Sequence, residues 1–333
     1  MLSDYQFQLS TLSPGDIKFD NHKFDAIQLA RLTSLSLPDF SNRILSCCTD
    51  LTFACTDDGK LKLTQTQTFT RTGKSLPTIR FCRQRGCPIC SWRRSLSWQA
   101  RAISCIPKLL RKYSDHRFLF ATFTLKNPPL TELRFAVSRM KRAFSAMSRR
   151  CTLGSKGFRG NKRWVSEGYI RSLEVTRGSV PGCCHPHFHC LLLMPPQYFS
   201  KEYDYYMASH EWATMWAYYL RLDYQPLVDV RVVKDPIRAI PEIFKYGAKP
   251  VDLLSDEQFC LAYLSQMKGV HLTEAAGAFS ERLKFEDDND DENLINVIGD
   301  SRSSGGNLIH FRWSKDQAKS LDGGDLYSYK IVS

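Results

Sequence analysis

No stretch of this chain approaches the roughly 20 consecutive apolar residues needed to cross a bilayer. The opening run, MLSDYQFQLSTLSPGD, lacks the basic-then-apolar pattern of an export leader. A cytoplasmic address with no membrane partner is the expectation. No internal repeat is visible, which sets aside solenoids and repeat arrays. Acid is scarcest in the middle: Arg71 to Arg177 holds 25 Lys/Arg against 4 Asp/Glu, a surplus of 21 positive charges. The rest of the chain therefore carries a net −9 beneath the overall +12. A segment so depleted of carboxylates points to a polyanion, most simply nucleic acid. The plainer alternative is a solvated basic face without a partner. Twelve cysteines are present, but without a leader a disulfide scaffold is not expected; the thiols should be reduced, buried or metal-bound.

At 333 residues the chain can build one large core plus a smaller module, or two ordinary domains. Residues 1–45 are polar and weakly periodic and read as an arm with short elements. Short alternating strands are expected within 44–81, followed by CRQRGCPIC at 82–90. A helix comes next, with Trp92, Leu96, Ile103, Ile106 and Leu110 near one stripe and Arg93, Arg94 and Arg101 elsewhere.

Beyond Asp115 the pattern turns regular, with strands at 117–125, 168–176, 185–194 and 226–234. A helix between the first two carries Leu133, Val137, Met140, Phe144 and Met147 on one face, and Arg134, Lys141, Arg142 and Arg149 on the others. A second helix fits 201–220. The order β-α-β-β-α-β implies an α+β fold of split βαβ, ferredoxin-like type, an antiparallel sheet with helices packed on a face. A short helix is expected over 235–250, with Asp235 as N-cap, Pro236 in its first turn, Pro241 inside and Pro250 beyond its end. Residues 255–284 begin as helix and become ambiguous; EDDNDDEN at 286–293 reads as an acidic linker, and the tail as a small hairpin. The expected division is 1–115, an arm and cysteine-rich DNA-binding module; 116–285, a catalytic domain; and 286–333, linker and tail.

The run HPHFHCLLLM at 185–194 carries the chemistry. Alternation along a strand puts His185, His187 and His189 on one face. If the hairpin with 168–176 closes symmetrically about Val180–Pro181, Glu174 lies opposite His187 on that face. Two imidazoles and a carboxylate with open positions suit Mg²⁺ or Mn²⁺ that must also take a phosphate oxygen. His185 is the weakest member, a supporting group or DNA contact. Packing histidines are the alternative. In PEIFKYGAK, Glu242, Tyr246 and Lys249 fall at i, i+4 and i+7, one stripe of a helix. A phenol is a poor nucleophile unless activated or offered an electrophile made reactive by a metal; packing is the usual role of such a Tyr. Lys249 would hold phosphate or stabilise phenolate. Cys82, Cys87 and Cys90 have CxxxxCxxC spacing, which calls for zinc and a fourth ligand, against the alternative of buried reduced thiols. Such a knot would fix the start of the Arg93–Arg94 helix and brace a DNA-contacting surface, with Arg142 a further DNA contact. A rival Cys/His zinc site with Cys183, Cys184 and Cys190 is weakened by alternation, which turns Cys190 away from the histidines.

FATFTLKN (120–127), SLEVTRG with HPHFHCLLL (172–193), EIFKYGAK (242–249), CRQRGCPICSWRR (82–94) and KGVHLTEAAGAFSE (268–281) together resemble the plasmid rolling-circle replication initiator (Rep) proteins of the HUH endonuclease superfamily. The likeness is to the group with a single active tyrosine and an N-terminal cysteine cluster. It implies that His187 and His189, with Glu174 as third ligand, hold a divalent metal, that Tyr246 forms a 5′-phosphotyrosine and frees a 3′-OH primer, and that Glu242 activates water at termination. It also implies Cys47 as fourth zinc ligand, with Cys48 and Cys55 as alternatives, and plasmid origin DNA, duplex and single-stranded, as partner. A host helicase and DNA polymerase follow from the resemblance alone, and a homodimer on DNA stays open. Two other functions remain: a zinc-dependent DNA-binding regulator that does not cut, and a related HUH transposase or relaxase, which the single tyrosine disfavours.

Overall fold

The structure is a computed structural model and describes residues 14–55, 61–63, 67–69, 75–77, 79–150, 166–203, 205–245, 247–280, 283, 308–319 and 325–331. In chain order the elements are α1 (Pro14–Thr33), α2 (Pro38–Leu45), β1 (Asp50–Cys55), β2 (Leu61–Leu63), β3 (Gln67–Phe69), β4 (Ser75–Pro77) and α3 (Pro88–Lys112). There follow β5 (Arg117–Thr124), α4 (Leu133–Arg150), β6 (Gly168–Arg177), β7 (Cys184–Met194), α5 (Ser209–Leu220), β8 (Val228–Val233) and α6 (Pro236–Ile243). The last are α7 (Pro250–Ser255), α8 (Glu257–Gln266), β9 (Thr273–Gly277), β10 (Leu308–Lys319) and β11 (Asp325–Ile331). The chain divides into two compact units, Met1–Ser97 with Asp287–Ser333, and Trp98–Glu286. Among the described residues no helix is long and apolar enough to cross a membrane.

In the first unit a four-stranded antiparallel sheet has the order β11-β10-β1-β2. The tail read as a hairpin is one, and its first strand pairs with β1 from Asp50↔Arg312 to Ala54↔Leu308. The segment read as a polar arm carries the 20-residue helix α1. Its buried stripe is Phe19, Lys23, Ala26, Leu29 and Ala30. Small residues and a buried lysine dilute the apolar signal, so the period was hidden in the sequence.

The second unit is built on a five-stranded sheet of order β8-β5-β7-β6-β9, every neighbour antiparallel. The four strands expected there match within two residues at each end. One face is covered by α4 and α5: Phe144 meets Phe123, Tyr169 and Phe188, and Trp212 and Trp216 close on Phe123. The opposite face is covered at one end by an apolar cluster in which Trp98, Ala102, Ile106 and Leu109 of α3 and Ile240 and Ile243 of α6 pack on Phe118, Phe120, Leu191 and Leu193. The α3 stripe is thus shifted from the expected one: Ile103 and Leu110 are exposed, and Trp98, Ala102, Cys105 and Leu109 take their place.

Two further helices differ from expectation. Instead of running over 201–220, α5 starts at Ser209, where Glu211 Oε2 accepts the Ala208 N–H at 2.9 Å and so fixes the first turn. The helix expected over 235–250 begins as foreseen, with Asp235 Oδ1 accepting from the Ile237 and Arg238 amides, but it ends at Ile243. Phe244 leaves the helical region at φ −96°, ψ 54°. Lys249, pushed to φ −71°, ψ 140° by the proline after it, caps α7 instead. Glu242 and Lys249 are therefore not on one helical stripe. Tyr246 lies outside the described residues.

Candidate active site

The β6–β7 hairpin has the register the sequence implied, with Glu174 opposite His187 and Ser172 opposite His189. All three of Glu174, His187 and His189 are buried. His187 Nε2 lies 3.2 Å and His189 Nε2 3.1 Å from the same Glu174 oxygen, Oε2. Their ligand atoms fall within 4.8 Å of one another, a group able to hold a metal ion.

Protons decide what this arrangement needs. His187 Nδ1 is 3.1 Å from the His185 carbonyl oxygen. A carbonyl only accepts, so Nδ1 carries the proton, and a neutral ring turns the Nε2 lone pair toward the carboxylate. Two acceptors at that distance repel unless a positive charge lies between them. Protonating both rings would crowd two imidazoliums around one carboxylate that already has Lys249 Nζ 3.7 Å from Oε1. A single divalent cation satisfies all three groups. Oε1 is moreover buried without a hydrogen-bond partner, which fits a group that completes its coordination with a metal. Burial by itself would raise the Glu174 carboxyl; the close His187 and His189 rings outweigh it and hold the group well below the ordinary carboxylate range.

The surroundings orient the ligands. Thr122 Oγ1 is 3.4 Å from His189 Nδ1. His185 stands apart from the metal group: its Nδ1 is 2.7 Å from Asn127 Oδ1, and burial, then the neighbouring His187, lower its pKa. It therefore supports His187 through its carbonyl and ties the hairpin to the loop after β5. Neither Asn127 nor Thr122 was singled out from sequence, since nothing in a loop Asn or a strand Thr marks a partner 58 or 67 residues away.

Gly247, between α6 and α7, meets the edge of β6. β9 pairs with β6 only as far as Ser172; beyond it the Leu173 N–H donates to the Leu272 carbonyl and the Val175 N–H to the Gly247 carbonyl, each at 2.8 Å. A Cβ on Gly247 would stand 2.4 Å from Leu272 Cδ1 and 2.7 Å from the Tyr263 hydroxyl, so a side chain here would have to displace those two side-chain ends. Glu242 pairs with Lys245.

In the first unit Cys47, Cys82, Cys87 and Cys90 converge. Cys47 Sγ is 3.6 Å from Cys90 and 3.7 Å from Cys87, and Cys82 is 3.7 Å from Cys90. Four thiolates at about 2.3 Å around zinc would have edges of about 3.8 Å, so the spacing is that of a tetrahedral site. The side-chain hydrogen bond with Cys48, then those with Cys82 and Cys87, bring the Cys47 thiol down to about 6. Cys48 lies beside Cys47 but outside the group; the Cys55 side chain is outside the described residues. Cys183, Cys184 and Cys190 join neither group. Cys190 faces away from the histidines, opposite Ala121 and Arg171.

Lys23, unremarked in the sequence, is buried beside this cluster, with Nζ 2.8 Å from the Leu45 carbonyl and 2.6 Å from that of Cys47. Arg93 departs from the role expected of it. It is 7% exposed, lies over the Phe19 and Trp92 rings, and burial lowers its pKa to about 10, so it anchors the start of α3 rather than presenting a charge to DNA. Arg94 is half-buried and donates to the Arg83 carbonyl at 2.9 Å; Arg142 is exposed.

The family model described as "Replication protein" matches residues 73–321. Among curated proteins, the chain is 33% identical over 215 residues to "Protein rep" of Streptococcus pneumoniae serotype 2, covering 63% of this chain and 60% of that protein. It is 30% identical over 293 residues to "Protein rep" of Lentilactobacillus hilgardii, covering 84% of this chain and 85% of the relative. With "Protein rep" of Lactiplantibacillus plantarum it shares 32% over 184 residues, 53% of this chain and 55% of that one. The chain thus spans less than two thirds of the first and third of these relatives. No solved structure matches it significantly. With the match to the family model covering most of its length, the chain belongs to the Replication protein family, the plasmid rolling-circle Rep proteins that its motifs resemble.

Proposed function

We propose that this protein initiates plasmid rolling-circle replication by nicking one strand at the double-strand origin with Tyr246 as nucleophile. The observation that carries the reading is the convergence of Glu174, His187 and His189 on one sheet face, beside Lys249 and an edge bond to Gly247, the residue that follows Tyr246 in sequence. In support of an HUH-type split βαβ unit stands the strand order β8-β5-β7-β6, with both intervening helices on the opposite face.

When bound at Glu174, His187 and His189, Mg²⁺ or Mn²⁺ would draw electron density from a non-bridging oxygen of the scissile phosphate. The chain's own residues do the rest. The Tyr246 oxygen forms a bond to phosphorus as the bond to the 3′ oxygen breaks; the 3′-OH is released as a primer, and the 5′ phosphate stays on tyrosine, which keeps the ester available for rejoining or hydrolysis. His185 and Thr122 hold the two ligand rings in orientation, and the Phe120 ring, 5.7 Å from His189, walls the site with apolar surface. Lys249 adds a positive charge beside the phosphate position. Glu242 activates water at termination. The cysteine group holds structural zinc, origin DNA is the partner, and host helicase and polymerase follow. A regulator that binds without cutting would have no use for a buried carboxylate between two imidazoles, which places it second.

The test is incubation of supercoiled plasmid carrying its own origin with Mn²⁺ or Mg²⁺, comparing wild type and Tyr246→Phe. A nicked product with protein on its 5′ end, absent for the variant, is expected. Binding without nicking under either metal would favour the regulator, and nicking that survives Tyr246→Phe would require another nucleophile.

A further inference from the structure

Among the described residues no carboxylate touches Lys23, the buried lysine of α1. Its Nζ, on a side chain 1% exposed, meets the carbonyls of Leu45 and Cys47 and, at 3.5 Å, Thr49 Oγ1. Carbonyls satisfy an ammonium's donors, yet they leave its charge uncompensated, and burial disfavours an uncompensated cation. The thiols of Cys47, Cys48, Cys82 and Cys87 lie near enough to act on its charge, and among the described residues Cys47, Cys82 and Cys87 converge with Cys90 in one four-thiol group. Zinc with four thiolates carries a net charge of −2. Both the lysine and Cys47 precede residue 73, where the family match begins, so that match assigns a role to neither.

We propose that Lys23 is the charge-compensating residue of a tetrathiolate zinc site formed by Cys47, Cys82, Cys87 and Cys90, tuning its metal affinity through the Cys47 backbone. The inference rests on the reading of the cysteine group as a zinc site and adds a residue to it. Two effects follow from one side chain. The ammonium lowers the electrostatic cost of ionising four neighbouring thiols, and its bond to the Cys47 carbonyl fixes the turn after α2 from which that ligand projects. The same nitrogen closes the end of α2 by capping the Leu45 carbonyl.

Full-length wild type, Lys23→Met, Lys23→Gln and Lys23→Arg would be loaded with Co²⁺ and then titrated with Zn²⁺ against a chromophoric chelator. Sulfur-to-cobalt charge-transfer absorption reports the cysteine site alone, because the Glu174 centre offers no sulfur. The expected result is a tetrathiolate spectrum in all four proteins, with zinc affinity lowered roughly 10- to 100-fold in Lys23→Met and Lys23→Gln and largely restored in Lys23→Arg. Gln keeps donors for the carbonyls without the charge. It therefore separates compensation from hydrogen bonding, and it serves if the Met variant fails to fold. Wild-type affinity in the Gln variant would overturn the role of Lys23 while leaving the zinc site standing. A wild-type protein without the sulfur band would instead overturn the zinc reading, and this inference with it.

Discussion

Glu174 is the residue on which the candidate site turns. It faces two imidazoles with one oxygen and keeps the other without a hydrogen bond. Glu174→Gln preserves shape and removes the charge, so Mn²⁺ affinity and nicking should both fall, the affinity by roughly 10- to 100-fold. Calorimetry with Mn²⁺ checks it; unchanged affinity would take Glu174 out of the ligand set. Gly247 makes a different kind of demand. In an alanine variant the new Cβ would be too close to Leu272 Cδ1 and the Tyr263 hydroxyl, so Gly247→Ala should displace those side chains or Gly247 itself. A displacement near 1 Å can cost roughly 10²-fold in rate. Origin binding should stay at the wild-type level while nicking drops, and equal loss of both would point to unfolding of the segment. Glu242→Ala should still nick but release products poorly at termination; complete loss of the first cleavage would argue against its assigned role.

At the scale of the element, α4 corrects a simple reading of its charges. Its basic side chains look like an outward face for phosphate, yet Arg134 Nη1 donates to the carbonyls of Gln266 and Lys268 at 2.8 and 2.9 Å, and Lys141 Nζ to that of His271 at 3.0 Å. These two cations therefore hold the α8–β9 connector, whose Leu272 packs against Gly247. Arg134→Met should slow nicking and leave the salt dependence of DNA binding unchanged. Arg142→Met, at an exposed position, should weaken binding across sequences and reduce the slope of log affinity against log salt by about 1. Filter binding over a salt series distinguishes them, and a changed slope for Arg134→Met would make that residue a DNA contact.

At the scale of the whole molecule, the first unit draws on both ends of the chain. The C-terminal hairpin supplies β10 as the neighbour of β1, and Phe311 is buried with its ring 5.5 Å from Phe53. Removing residues 307–333 strips β1 of a partner strand and of an apolar contact worth about 1.5–3 kcal/mol, a large part of a typical 5–15 kcal/mol total. The truncated chain should melt earlier, and the thiols of its four-cysteine group should react faster with a thiol reagent. Wild-type thiol reactivity after truncation would show that the hairpin is dispensable to this unit.

What the sequence by itself determined is what local periodicity and chemistry encode. Alternation placed His187 and His189 on one face, the symmetric hairpin put Glu174 opposite them, and the spacing of Cys82, Cys87 and Cys90 marked a metal group. Four of the five strands of the second unit were legible from their alternation or apolar runs over 6 to 11 residues, whereas β9 was ambiguous in sequence. Tertiary structure alone decided the rest. It ended α6 at Ile243 and set Gly247 against β6, since a glycine's tolerance of close approach has meaning only once Leu272 is beside it. It turned Arg93 inward over Phe19 and Trp92, buried Lys23 by the cysteines, and paired the tail with β1. A charged side chain reads the same in sequence whether it meets water, a carbonyl or a thiolate; only contacts between distant segments set the difference.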